Sequence, residues 1–160
     1  MAEKDDIQTI IIVDDEEMVL TSLESLLSLE TDYAVEAFTS ANDALEYIRK
    51  NDIDLVVSDY LMPQMDGLKF LSEVKKIHPD VPRIILTGYA DKENAIKAIN
   101  EVGLFQYIEK PWSNDDLLII FRNALEKHQL LRRLQQTMGE INNAYGELQK
   151  LQQEIVKTFI

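Results

Sequence analysis

Between Ile7 and about Lys127, short apolar runs alternate with stretches of helical periodicity, which predicts an α/β fold built on a doubly wound, five-stranded parallel sheet. Two further observations agree. Three of the runs are almost continuously apolar, as strands covered on both faces are, and acid, hydroxyl and lysine residues stand where the runs end.

In chain order, a strand is expected over Ile7 to Val13, followed by a helix over Glu17 to Leu29 marked by Val19, Leu20, Leu23, Leu26 and Leu27. Tyr33 to Phe38 forms the second strand, and Ala44, Leu45 and Ile48 mark a helix over Ala41 to Lys50. The third strand is Leu55 to Ser58. Pro63 and Asp66-Gly67 then supply turn chemistry before a helix over Leu68 to Ile77, which Pro79 and Pro82 close. Arg83 to Leu86 is the fourth strand, and Ala95, Ile96, Ile99 and Val102 give a helix over Glu93 to Val102 that ends at Gly103. Phe105 to Ile108 is the fifth. Ser113 is expected to cap the last helix, with Asp115 and Asp116 at the positive end of its dipole.

That last helix meets no proline before Ile160. Leu131, Leu134, Met138, Ile141, Tyr145, Leu148, Gln152, Ile155 and Phe159 recur at spacings of three and four, about four heptads of a coiled coil. With Leu131 at position a, Leu134, Ile141, Leu148 and Ile155 take position d. Gly139 and Gly146 each cost about 1 kcal/mol relative to alanine and weaken the middle of this stretch.

The chain has 160 residues, enough for one core and an appendage, and a net charge of −13 that opposes contact with nucleic-acid phosphates. Cysteine is absent, which excludes disulfides and thiolate metal sites. No apolar run reaches the roughly 20 residues that span a bilayer, and the acidic start resembles no export signal. A cytoplasmic protein is expected, with Glu3 to Asp6 as a solvated arm. His78 and His128 lack ligand spacing and read as surface residues, and Trp112 as a packing residue.

The strand ends carry the chemistry. Asp14 and Asp15, Asp59, Thr87 and Lys110 follow the first, third, fourth and fifth runs, so a parallel sheet gathers them at one edge although they lie far apart in sequence. Singly each has a plain reading: Asp14-Asp15 as helix caps, Asp59 as a turn starter, Thr87 as a strand end, Lys110 as a solvated lysine. Crowded carboxylates repel one another and favour a divalent cation, with Mg²⁺ the natural hard ion for oxygen ligands. The threonine and lysine suit the oxygens of a phosphoryl group.

Four segments, Ile-Ile-Val-Asp-Asp-Glu-Glu, Asp-Tyr-Leu-Met-Pro-Gln-Met-Asp-Gly, Ile-Leu-Thr-Gly and Tyr-Ile-Glu-Lys-Pro-Trp, resemble in order and spacing the receiver domain of two-component response regulators. The resemblance implies the flavodoxin-like receiver fold over residues 5–127, with 128–160 as a coiled-coil extension. It implies Asp59 as phosphoacceptor, Asp14, Asp15 and Asp59 with the Leu61 backbone carbonyl as Mg²⁺ ligands, and Lys110 as the cation on the phosphoryl group. Thr87 and Tyr107 take the place of the family's switch pair, and the Lys110-Pro111 peptide is expected to be cis. Leu61 and Tyr89 stand where polar side chains often help water attack, which implies slow loss of phosphate.

The implied partners are a sensor histidine kinase or phosphotransfer protein and, through the coil, a second copy in a homodimer; neither nucleic acid nor membrane is expected. The chain is not expected to turn over a substrate. A self-contained phosphoryl shuttle is the nearest alternative. Haloacid-dehalogenase-type phosphatases use the same parts, but place their nucleophile after the first strand in an Asp-x-Asp pattern. Leu-Gln-Gln-Glu-Ile-Val-Lys-Thr, at the end, faintly resembles the lead into HD-GYP phosphohydrolase domains.

Overall fold

The structure, a computed structural model, describes residues 7–159 and divides into two compact units, one ending at His128 and one running from Gln129. The acidic arm over residues 3–6 lies outside the described residues. In the first unit, five strands form one parallel sheet: β1 (Thr9–Val13), β2 (Ala34–Phe38), β3 (Leu55–Asp59), β4 (Arg83–Thr87) and β5 (Gln106–Glu109). Their spatial order is β2-β1-β3-β4-β5. The order reverses direction between β1 and β3, and at such a switch point the carboxyl ends of the strands open a crevice.

The helices are α1 (Glu17–Glu30), α2 (Ala41–Lys50), α3 (Gly67–Ile77), α4 (Lys92–Val102) and α5 (Asn114–Phe159). Side chains alternate across each strand, so β1 sends Ile11 and Val13 into a core with α2, α3 and α4, and Ile10 and Ile12 into a core with α1 and α5. The central strands β3 and β4 are buried at every residue, while β2 and β5 at the edges are half-buried. Leu117, Phe121, Ala124 and Leu125 are all buried, as alignment of the helix with the receiver pattern implies, and Trp112 packs on the same core.

The element ends differ from expectation in ways that matter for the site. β1 starts at Thr9 instead of Ile7, whose side chain is exposed, whereas β3 and β4 run one residue further, to Asp59 and Thr87. The site residues therefore belong to the ladder: Asp59 pairs with Leu86 and Thr87 with Glu109. Asp14 and Asp15 do not cap α1. Glu16 takes that position without a side-chain bond, and the Asp14 carboxylate accepts from the Glu16 backbone N–H at 2.9 Å.

Both histidines correct the sequence reading. His128 is buried, with Nδ1 3.2 Å from the Asp80 carbonyl oxygen and Nε2 3.4 Å from Asp54 Oδ1. His78 is half-buried with Nε2 2.9 Å from the Ile48 carbonyl oxygen. Helical spacing reports which face a residue lies on, but not whether loops from the far edge of the sheet reach over it.

In the second unit α5 continues to Phe159, and nearly every described side chain is exposed. No described helix is long and apolar enough to cross a membrane.

Candidate functional site

Five chain segments meet at the carboxyl edge of the sheet. The Asp14 N–H donates to the Phe38 carbonyl oxygen at 3.1 Å, Tyr60 N–H to Leu86 O at 2.9 Å and Lys110 N–H to Thr87 O at 2.8 Å, so each site residue is tied through backbone to the neighbouring strand end. Position is fixed before side-chain chemistry begins.

The segment after β3 is turned back most sharply. Gly67 N–H donates to the Tyr60 carbonyl oxygen at 2.9 Å, and a Cβ on Gly67 would collide with the Asp59 carbonyl oxygen. Asp66 caps α3 by accepting from Lys69 N–H at 2.7 Å, and the Ser58 hydroxyl donates to Asp59 O at 3.0 Å. Asp66-Gly67 is thus more than a turn signal: the glycine lets α3 begin against the backbone of Asp59 itself. The sequence contained the Asp-Gly pair but not the identity of the atom it approaches.

Asp14 is fully buried, Asp59 is nearly so and Asp15 is exposed, yet one carboxylate oxygen from each lies within 4.8 Å of the others. Lys110, which precedes a cis peptide to Pro111, puts Nζ 3.2 Å from Asp14 Oδ2 and 3.1 Å from Asp59 Oδ1. Three carboxylates therefore face one ammonium.

Burial pushes the Asp59 carboxyl above its ordinary pKa, although the bond and charge of Lys110 pull the other way. Burial likewise raises Asp14, opposed mainly by the Glu16 N–H and reinforced by the negative charge of Asp59. For Lys110 burial disfavours the ammonium, but Asp59 and Asp14 together outweigh it and hold its pKa above the ordinary value. The lysine stays charged while the acids remain undercompensated. Such a donor set, all oxygen and net negative, fits a hard divalent cation.

Thr87 is fully buried at the end of β4, and its hydroxyl donates to Gly88 O at 3.2 Å, not to the acidic cluster. Tyr107 pairs in register with Ile85, two residues before Thr87, and packs half-buried on the core that includes Ile85 and α4. In a parallel ladder, registered partners point to the same face, so Tyr107, Ile85 and Thr87 share the α4 side of the sheet. The Leu61 side chain is exposed.

The profile of the response regulator receiver domain matches residues 10–122. The chain belongs to that family: it is a receiver domain of two-component response regulators, which are signalling domains that accept phosphoryl groups from histidine kinases. It is 35% identical over 118 residues to the hydrogenase transcriptional regulatory protein HoxA of Cupriavidus necator, a match that covers 74% of this chain and 24% of that protein. The chain thus spans about a quarter of that relative's length. The response regulator protein TodT of Pseudomonas putida is 30% identical over 148 residues, covering 92% of this chain and 64% of its own. Among solved structures, a receiver domain from Clostridium thermocellum superposes with a TM-score of 0.73 at 37% identity, covering 78% of this chain and 99% of that one.

Proposed function

We propose that Asp59 accepts a phosphoryl group from the phosphohistidine of a sensor histidine kinase or phosphotransfer protein, in a reaction that requires Mg²⁺. The observation that supports this most directly is the Asp59 carboxylate at the edge of the switch-point crevice, paired with Lys110 at 3.1 Å and within 4.8 Å of the Asp14 and Asp15 oxygens. An oxygen of ionised Asp59 attacks phosphorus as the phosphorus–nitrogen bond to histidine breaks, leaving an acyl phosphate. Asp14, Asp15 and Asp59, with the Leu61 carbonyl, would hold Mg²⁺, which neutralises charge on the transferring group. Lys110 exchanges part of its pairing with Asp59 for the incoming phosphoryl oxygens.

Thr87 and Tyr107 form the switch in this reading. The Thr87 hydroxyl leaves Gly88 O to donate to the phosphoryl group, and Tyr107, on the same face, fills the space released. Leu61 gives water no polar assistance, so the acyl phosphate is slow to hydrolyse; the Tyr89 side chain lies outside the described residues. The chain works as a phosphorylated signalling domain in the cytoplasm.

The receiver spans residues 5–127 in this proposal, and 128–160 forms a parallel coiled-coil homodimer. Leu134, Ile141, Leu148 and Ile155, all exposed and all at position d, support the dimer. The relatives' greater length favours a regulatory receiver over a self-contained shuttle, and the acidic charge favours protein over nucleic-acid partners.

Intact mass after incubation with acetyl phosphate and Mg²⁺ tests the central claim. One added phosphoryl group is expected on the native chain and none on Asp59→Asn. Equal incorporation by both would remove Asp59 from the role.

A further inference from the structure

In a helix of 3.5 residues per turn, rows a and g flank row d at about 50° on either side. The d row of the extension is Leu134, Ile141, Leu148 and Ile155. Met138 and Tyr145 stand beside it in row a, and Leu130 and Leu151 in row g. Each of these eight side chains keeps more than half of its surface exposed. Rows a and d together therefore offer six exposed large apolar residues, and so do rows d and g.

We infer that the extension carries two overlapping seams for a second copy of this chain, a/d and d/g, which share row d and interchange by a rotation of each helix of about 50°. This rests on the coiled-coil reading proposed above and goes beyond it by assigning two packings instead of one.

Neither seam is better along the whole helix. Met138 and Tyr145 on row a outweigh Thr137 and Ala144 on row g, but further along Leu151 on row g outweighs Gln152 on row a. Coiled coils ordinarily fix one register through charges at positions e and g. Here e holds Gln135, Asn142, Gln149 and Val156, and g holds Leu130, Thr137, Ala144, Leu151 and Thr158, without a charge among them. The charged residues sit in rows b, c and f, which face solvent in the a/d packing; in the d/g packing row c, with Arg133, Glu140, Glu147 and Glu154, becomes a flank of the seam. Gly139 and Gly146 both fall in row b, opposite the seams, so they loosen the backbone without removing a contact from either.

A second copy is the occupant this surface fits. Covering six such side chains per helix removes roughly 1,200 Å² over two copies, the lower end of specific stable interfaces. Neutral flanks at e and g let identical chains approach in the a/d packing without like-charge repulsion, and in the d/g packing the charged row c of one helix faces the uncharged row a of the other. Two packings of similar energy are what a receiver needs if phosphorylation is to bias the coil.

The natural lack of cysteine makes the test direct. Tyr145→Cys, Leu148→Cys and Ala144→Cys, each in the full chain, place single thiols in rows a, d and g. Oxidative cross-linking is measured with and without beryllofluoride and Mg²⁺. Leu148→Cys should cross-link in both states, while Tyr145→Cys and Ala144→Cys should change several-fold in opposite directions. Gln152→Leu, combined with each, should favour the Tyr145→Cys cross-link, and Thr137→Leu the Ala144→Cys cross-link. A Tyr145→Cys yield that exceeds Ala144→Cys equally in both states and with both leucine variants would leave one fixed seam and overturn the proposal. Equal yields at all three positions would overturn it in favour of a wider bundle. No cross-link at Leu148→Cys, with a monomer by light scattering, would overturn the coiled-coil reading itself.

Discussion

The two edges of the sheet bury charge in opposite ways. At the amino edge, Asp54 Oδ2 accepts from the Thr9 N–H at 2.8 Å and Oδ1 lies 3.4 Å from His128, so one carboxylate ties β1 to α5. Arg83, buried at the start of β4, donates to the carbonyl oxygens of Leu71 at 2.9 Å, Val102 at 2.7 Å and Gly103 at 3.0 Å. Those carbonyls lie in α3 and at the end of α4, where the helix dipole is negative and a cation is favoured. At the carboxyl edge, three carboxylates share one lysine. The amino edge spends its buried charge on holding elements together, whereas the carboxyl edge is left electrostatically incomplete, which is the condition for binding a cation and a phosphoryl group.

The largest test of that contrast is Arg83→Met. Loss of a buried guanidinium strands carbonyl oxygens in two helices, and a destabilisation of about 3 kcal/mol is expected in urea unfolding. A change below about 1 kcal/mol would mean that the amino edge is not built on that charge.

Lys110→Met probes the opposite edge. The lysine's partners are Asp59, the proposed phosphoacceptor, and Asp14, so phosphorylation by acetyl phosphate should slow by on the order of 100-fold, and the fold should also lose stability because both buried carboxylates lose their compensating charge. A normal rate would show that Lys110 serves the fold and not the phosphoryl group.

His128→Leu sits between the two in character. It keeps an apolar volume against α5 but removes the contacts to Asp80 O and Asp54, and a loss of about 1–2 kcal/mol is expected, with phosphorylation unchanged. Slower phosphorylation in a stably folded variant would join the two edges functionally and break the comparison.

The sequence exposed the carboxyl edge and concealed the amino edge. The strands expected over Ile7 to Val13, Leu55 to Ser58 and Arg83 to Leu86 are legible because burial on both faces leaves a nearly continuous apolar run. β5 begins one residue later than its apolar signal because an edge strand is half-exposed and its pattern is correspondingly weak. Asp14, Asp15, Asp59 and Lys110 were legible as one site because parallel topology alone brings the ends of strands together. His128 is different. Its contact with Asp80 spans 48 positions and links a helix to a loop, a pairing that no periodicity encodes. Arg83 was hidden by its place at the head of an apolar run, where a long cation reads as a strand boundary and not as a tie to two helices.

The smallest effect expected is also the most specific to the contrast. Asp59 and Asp14 have folded pKa values raised above their ordinary ones, chiefly by burial, so each binds its proton more tightly folded than unfolded. For groups shifted in this direction, the stabilising contribution is fully present below the unfolded pKa and is lost as pH rises through the folded one. At neutral pH the ionised pair therefore strains the fold. Asp59→Asn should raise Tm by a few degrees near pH 7, and the gain should shrink as pH falls toward the ordinary carboxylate range, where the native aspartate is protonated too. Added Mg²⁺ should raise the native chain's Tm and do less for Asp59→Asn, because a ligand that binds only the folded state stabilises it by an amount that grows with the logarithm of its affinity. Differential scanning measurements across pH, with Mg²⁺ or EDTA, read both effects in one series. An Asp59→Asn variant less stable than the native chain at neutral pH would show that the carboxyl edge, like the amino edge, is charged for the sake of the fold.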